Sequence, residues 1–268
     1  MASILDKIFA AKRDEVRTQR AVVSPAAIAA AAVRAPAPRP FLDALRARHP
    51  AIIAEVKRAS PSKGDILPGL DPAAVAHDYL AGGAAAISVL TDRHFKGSLD
   101  DLRTVRAAVD LPILRKDFIF DPYQLYEARA AGADCVLLIA AMLKEGELRS
   151  LAALAHELKM AALIEVHDAT EFTLARNVDA ELIGINNRDL HTFKTDLATT
   201  ENLLGGYTGD ALIVAESGIE TPADIRRLDT VGARAFLIGE SLLRGGQPRE
   251  ALATLAGTFG VAGARAAR

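Results

Sequence analysis

The residues with chemical potential in this sequence are charged side chains that interrupt short apolar runs. Glu55 and Lys57 stand two apart in Ile53-Ala54-Glu55-Val56-Lys57, Lys116 follows Leu114-Arg115, Glu165 breaks Leu163-Ile164-Glu165-Val166, and Glu216 precedes Ser217-Gly218. Charges in apolar surroundings are costly unless they pair. Here Glu55, Glu165 and Glu216 balance Lys57, Lys116 and Arg188 to a formal charge of zero. Gathered in one place, such groups could donate and accept protons, the work of general acid–base catalysis. Scattered, each would merely cap a strand in solvent, so the elements that place them decide between the two.

After Pro50 the sequence repeats one unit. Eight β-rich apolar runs recur: Ala51 to Val56, Ala85 to Leu90, Pro112 to Arg115, Asp134 to Ile139, Ala161 to Val166, Glu181 to Ile185, Ala211 to Ala215 and Ala235 to Ile238. Helical stretches lie between them, at Pro72 to Ala81, Leu99 to Ala108, Pro122 to Ala131, Lys144 to Leu158, Ala169 to Asn177 and Pro222 to Leu228. Several begin with Pro, which the first helical turn tolerates. Near-continuous apolar strands alternating with helices indicate a parallel sheet covered on both faces. Eight such units in about 220 residues fit a closed (β/α)8 TIM barrel of the α/β class, with an open doubly wound sheet as the alternative. The charged residues then fall at the carboxyl ends of runs one, three, five and seven, the end of a barrel that carries its active site. Barrel interiors are filled by layers drawn from alternate strands, so these charges can form one ring. Residues two apart in a strand share a face, so Glu55 and Lys57 point inward together if either does.

Ser217-Gly218 after run seven and Gly239-Glu240-Ser241 after run eight are small residues in the two loops that usually hold phosphate in this architecture. A phosphorylated substrate is therefore expected, with only the backbone amide of Glu240 toward the phosphate. The loop Arg58-Ala59-Ser60-Pro61-Ser62-Lys63-Gly64 offers a hydroxyl at Ser60 and a cation at Lys63, and its length suits a closing flap. Lys63 reads equally as a solvated loop charge.

Half of the 268 residues are hydrophobic and a quarter are charged, as in ordinary globular enzymes. A net charge of −2 creates no general field toward nucleic acid or anionic lipid, so any anion must be held locally. No apolar stretch reaches the roughly 18 residues of a membrane span. The alanine-rich segment Ala26 to Val33 is only faintly signal-like and lies behind Asp6, Asp14 and Glu15, so a cytoplasmic location is expected, with no nucleic-acid or membrane partner. The single Cys135 sits in an apolar run and reads as a small hydrophobe. No His, Cys or carboxylate cluster has metal-ligand spacing, so no metal is expected, and His94, His156, His167 and His191 read as surface or structural residues. The first 48 residues read as helix, with Ile4, Leu5, Ile8, Phe9 and Val16 on one face and Pro36, Pro38 and Pro40 as a stiff connector.

Several segments together resemble the signatures of the indole-3-glycerol-phosphate synthase family. They are Ile53 through Gly64, Leu114-Arg115-Lys116-Asp117-Phe118-Ile119, Glu165-Val166-His167, Gly184-Ile185-Asn186-Asn187-Arg188-Asp189-Leu190 and Ala215-Glu216-Ser217-Gly218-Ile219. The resemblance implies one domain over residues 1–268, with a helical extension at 1–48 over the catalytic face and a barrel at 51–258. It implies a cofactor-free carboxy-lyase of tryptophan biosynthesis. Its substrate would be 1-(2-carboxyphenylamino)-1-deoxy-D-ribulose 5-phosphate, and its products indole-3-glycerol phosphate, carbon dioxide and water. Carried across, Lys116 would be the acid that protonates the ribulose carbonyl. Glu165 and Lys57 would move protons in the later dehydration, with Glu55 and Asn186 as orienting groups and Glu216 in the same ring. Phe118, Leu137 and Leu190 would wall the aromatic ring, each serving equally well as core packing, and Arg188 would lie near its carboxylate. Either a monomer or a weak homodimer fits.

Rival chemistries fit the residues less well. An orotidine-phosphate-type decarboxylase is suggested by Asp117 and Asp121 behind Lys116, yet it needs a different Asp and Lys spacing and has no role for Glu165 and Glu216. An Amadori isomerase needs a Cys and an Asp as its acid and base, whereas Cys135 is mid-strand, and a Schiff-base aldolase is disfavoured too. A noncatalytic phosphosugar-binding barrel would have no use for the charged ring.

Overall fold

The structure is a computed structural model that describes residues 4–60, 64–67, 69–189 and 192–259. The eight apolar runs form β1 (Ala51–Val56), β2 (Ala86–Leu90), β3 (Ile113–Lys116), β4 (Cys135–Ile139), β5 (Ala161–Val166), β6 (Leu182–Asn186), β7 (Leu212–Glu216) and β8 (Ala235–Ile238). They close into a parallel barrel in sequence order, with β8 pairing back onto β1. Closure excludes the open doubly wound alternative.

Three strands end one residue later than the apolar pattern predicts, and the added residues are Lys116, Asn186 and Glu216. Each sits on the last rung of the ladder, where Leu90 lies opposite Lys116 and Asn186 opposite Glu216. Hydropathy stops at the last apolar residue, whereas the backbone hydrogen bonding continues beneath the polar one. A short antiparallel ribbon, Ala59–Ser60 against Gly64–Asp65, follows β1.

Two apolar layers result from strand periodicity. Inward-facing Ile53, Leu114, Cys135, Leu137, Leu163, Val214 and Leu237 fill the barrel, while outward-facing Ile52, Ile87, Ile113, Val136, Ile164, Ile183 and Phe236 pack beneath the helices. Full burial of such side chains contributes roughly 1.5–3 kcal/mol each before entropy is counted. Cys135 is fully buried in the inner layer, consistent with its reading as a small hydrophobe.

The extension is three helices, α1 (Ile4–Val22), α2 (Pro25–Arg34) and α3 (Phe41–Arg46), with the proline connector between the last two. Helix α1 reaches the carboxyl end of the barrel. Its Ile8 joins the inner cluster with Phe118, and Phe9 packs edge-on against Phe120 at 4.8 Å. Helix α2 lies against α6 (Pro122–Ala131), and α3 inserts Phe41 and Leu45 beside Ala51 and Ala235 at the opposite end.

The remaining helices are α4 (Pro72–Gly82), α5 (Leu99–Ala108), α7 (Glu145–Glu157), α8 (Ala169–Asn177), α9 (Ala198–Leu204), α10 (Pro222–Asp229), α11 (Glu240–Leu243) and α12 (Pro248–Ala256). The periodicity did not predict α9. It has no side-chain cap, and its Ala-Thr-Thr-Glu-Asn segment has modest helix propensity, so packing of buried Thr200 and Leu204 forms it.

Candidate active site

Glu55, Lys116, Glu165 and Glu216 converge at the carboxyl end of the barrel from β1, β3, β5 and β7, as strand parity requires. Lys116 Nζ lies 3.1 Å from Glu165 Oε2 and 3.5 Å from Glu216 Oε2. Lys57 Nζ lies 2.6 Å from Glu55 Oε1. All three carboxylates are buried, and the hydroxyl of buried Tyr79 donates to the Glu55 carbonyl, fixing that strand end.

Burial opposes the Lys116 ammonium, but Glu165, Glu216 and Glu55 outweigh it and hold its pKa above the ordinary 10.5. The sequence left that contest open; pairing wins. Burial also favours neutral Glu165, yet Lys116 and His167 keep its pKa below the normal carboxylate range. Glu216 goes the other way. Burial raises it, Lys116 only partly opposes, and Glu165 and Glu55 add repulsion, pushing it up to about 8. The two carboxyl groups are therefore unequal: the proton is favoured on Glu216 and the charge on Glu165.

Glycines on β6 and just after β8 make room for this cluster. A Cβ on Gly184 of β6 would fall 2.1 Å from Glu216 Oε1, and one on Gly239 after β8 would fall 2.5 Å from Glu55 Oε1. A side chain at either position would push aside the carboxylate that it meets.

A cavity of about 270 Å³ shares Glu55 with the cluster and is bordered by Lys57, Arg188, Ser217, Gly218, Gly239 and Glu240. Ser217 and Gly218 both adopt left-handed backbone, with φ of 65° and 77°. Buried Asn187 holds this turn by donating to the Ser217 carbonyl at 3.2 Å, while its own Oδ1 accepts from Thr200. The Ser241 hydroxyl donates to the Ile219 carbonyl at 2.9 Å and ties the two loops together. The Glu240 carboxylate pairs with Arg244 at 2.8 Å.

A family model described as indole-3-glycerol phosphate synthase matches residues 5–255. The chain belongs to the indole-3-glycerol phosphate synthase family. Members of that name from Chromobacterium violaceum and Polaromonas sp. are 49% and 48% identical to it, over 95% and 96% of this chain and 98% and 99% of theirs. The family comprises decarboxylating lyases of tryptophan biosynthesis acting on a phosphorylated small molecule. Solved structures at 15–16% identity show likeness in fold alone. An N-acetylmannosamine-6-phosphate 2-epimerase from Clostridium perfringens aligns at a TM-score of 0.60 and 15% identity, over 76% of this chain and 92% of its own.

The expected site residues do not all fall in one place. Lys116, Glu165 and Glu216 form the ion cluster, while Lys57, Arg188, Ser217, Gly218, Gly239 and Glu240 border the cavity, and Glu55 belongs to both. Asn186 sits at the end of β6, with its Oδ1 accepting from the Arg188 amide at 3.0 Å. Phe118 and Leu137 are buried in the inner cluster and do not border this cavity. Ser60 lies in the ribbon, with its side chain outside what is described, and Lys63 and Leu190 lie outside the described residues.

His167, read from sequence as surface or structural, lies against the cluster. Its Nε2 lies 3.3 Å from Glu165 Oε1 and its Nδ1 2.9 Å from Glu171 Oε2. The signal was available, because His167 stands two residues after Glu165, as Lys57 does after Glu55. Sequence reading also missed a buried network in which Lys12 of α1 contacts Asp92 at 2.8 Å and Asp117 at 2.9 Å. Asp117 is held further by Thr91 and Arg115.

Proposed function

We propose that the Lys116, Glu165 and Glu216 cluster carries the acid–base steps by which this chain converts 1-(2-carboxyphenylamino)-1-deoxy-D-ribulose 5-phosphate to indole-3-glycerol phosphate, carbon dioxide and water. The observation that carries this reading is the Lys116 ammonium, 3.1 Å from Glu165 and 3.5 Å from Glu216, beside a cavity with two small-residue loops.

The phosphate would rest on the loops bearing Ser217, Gly218, Gly239 and Glu240, with the Glu240 side chain drawn aside by Arg244. Arg188, on the same cavity wall, suits the substrate carboxylate. Lys116 donates its proton to the ribulose carbonyl oxygen as the aromatic carbon attacks, so no alkoxide accumulates. The surrounding carboxylates keep Lys116 in the ammonium form, so it is loaded with the proton that it gives. Loss of carbon dioxide then restores the aromatic ring. In the dehydration that follows, Glu165 accepts a proton and Lys57, oriented by Glu55, supplies one to the departing hydroxyl. Asn186, fixed by the Arg188 amide, orients the sugar hydroxyl groups.

The test is direct turnover. Mixing the purified protein with the anilino-deoxyribulose phosphate should raise indole fluorescence, and the dephosphorylated substrate should show a much higher KM. A folded sample that yields no indole product overturns the reading.

A further inference from the structure

We propose that His167 is a positioning residue for Glu165: clamped by Glu171, its imidazole forms an ion-pair contact with one carboxylate oxygen and leaves the other facing Lys116. This rests on the proposed role of Glu165. The geometry assigns the two oxygens to separate partners, Oε2 to Lys116 Nζ at 3.1 Å and Oε1 to His167 Nε2 at 3.3 Å. The ring itself is fixed from behind. Glu171 Oε2 accepts from the His167 backbone N–H at 2.8 Å and lies 2.9 Å from Nδ1.

Helix α8 supplies that clamp in its first turn, where Asp168 caps the Glu171 amide at 2.9 Å. The carboxylates set against the ring are thus Glu165 on β5 and Glu171 on α8, and Lys116 of β3 lies beyond Glu165. With carboxylate oxygens 2.9 Å from Nδ1 and 3.3 Å from Nε2, the second an ion-pair contact, the charged imidazolium is favoured over the neutral ring. Its pKa reflects this, because burial lowers it but Glu165 and Glu171 raise it from the ordinary 6.5 to about 10. A histidine needed only for packing has no use for a second carboxylate, and the one it contacts here is the proposed base.

Without the imidazolium, Glu165 loses a partner that favours its charge, so its pKa rises and its carboxylate can turn away from Lys116. The experiment is the pH dependence of kcat and KM for wild type, His167→Ala, His167→Gln and Glu171→Gln, with thermal unfolding as the control for folding. In His167→Ala, kcat should fall by about 10–100-fold with KM within about threefold, and the acidic limb of kcat should move to higher pH. His167→Gln, whose amide can still donate toward Oε1, should recover most of kcat. If His167→Ala does not fold, His167→Gln against Glu171→Gln carries the comparison, with Glu171→Gln showing the shifted limb. Unchanged kcat and limb in folded His167→Ala overturn the proposal, as do equal losses in the Ala and Gln variants with an unmoved limb. An inert wild type overturns the functional reading itself, and this inference falls with it. Nitrogen-15 shifts of the His167 ring give a readout apart from turnover: the imidazolium should persist to about pH 8 in wild type and titrate earlier in Glu171→Gln. A ring neutral at pH 7 in wild type also overturns the clamp.

Discussion

At the scale of single residues, the site rests on unequal treatment of two neighbouring carboxyl groups. Glu165 is ionised because Lys116 and His167 outweigh burial, whereas Glu216 has burial and carboxylate repulsion on the same side. This asymmetry predicts a pH-dependent stability. The folded state binds a proton at Glu216 between the ordinary 4.5 and about 8 that the unfolded chain releases, so this group's stabilising contribution falls as pH rises through that window. Glu216→Gln removes that loss. Relative to wild type, the variant should gain stability between about pH 5 and about pH 8 in urea unfolding. Parallel curves for the two proteins would show that Glu216 is ionised throughout. Much of this cluster was legible in the sequence, because a charged residue ending an apolar strand stands out and period-two alternation fixes its face. His167 obeys the same rule but was judged by its residue type. The pKa ordering could not be read, since it depends on distances between β3, β5 and β7.

At the scale of elements, strand ends and glycine backbones place the charges, and α1 closes one side of the mouth. Eight strands were readable because each is an apolar run bounded by turn chemistry. The last rungs of β3, β6 and β7 lie one residue past the apolar runs, because Lys116, Asn186 and Glu216 are polar by hydropathy yet complete the ladder. The seating of α1 was hidden for another reason: Lys12 pairs with Asp92 and Asp117, far along the chain, and local patterning carries no trace of such a contact. Lys12 is only 1% exposed, and without it two buried carboxylates would lose a counter-charge. Lys12→Met should therefore destabilise the protein by about 3 kcal/mol and expose α1 to limited proteolysis. Wild-type stability with an uncleaved α1 would mean that the apolar contacts of Ile8 and Val16 suffice to dock the helix.

At the scale of the whole molecule, the two ends of the barrel differ in kind. The amino end is sealed by Phe41 and Leu45 of α3, while the carboxyl end keeps its charges buried yet adjoining a cavity. Phosphate loops lie after β7 and β8, and the acid–base cluster spans β1, β3, β5 and β7, so binding and proton transfer are carried by largely separate residues. A loss of chemistry without a loss of binding should follow from altering the cluster alone. The decisive measurement is kcat together with the substrate dissociation constant for Lys116→Met. The account predicts kcat lowered at least about 100-fold with affinity within about threefold of wild type, the behaviour of a group needed mainly in the transition state. Turnover close to wild type would contradict it and would move the acid role to Lys57.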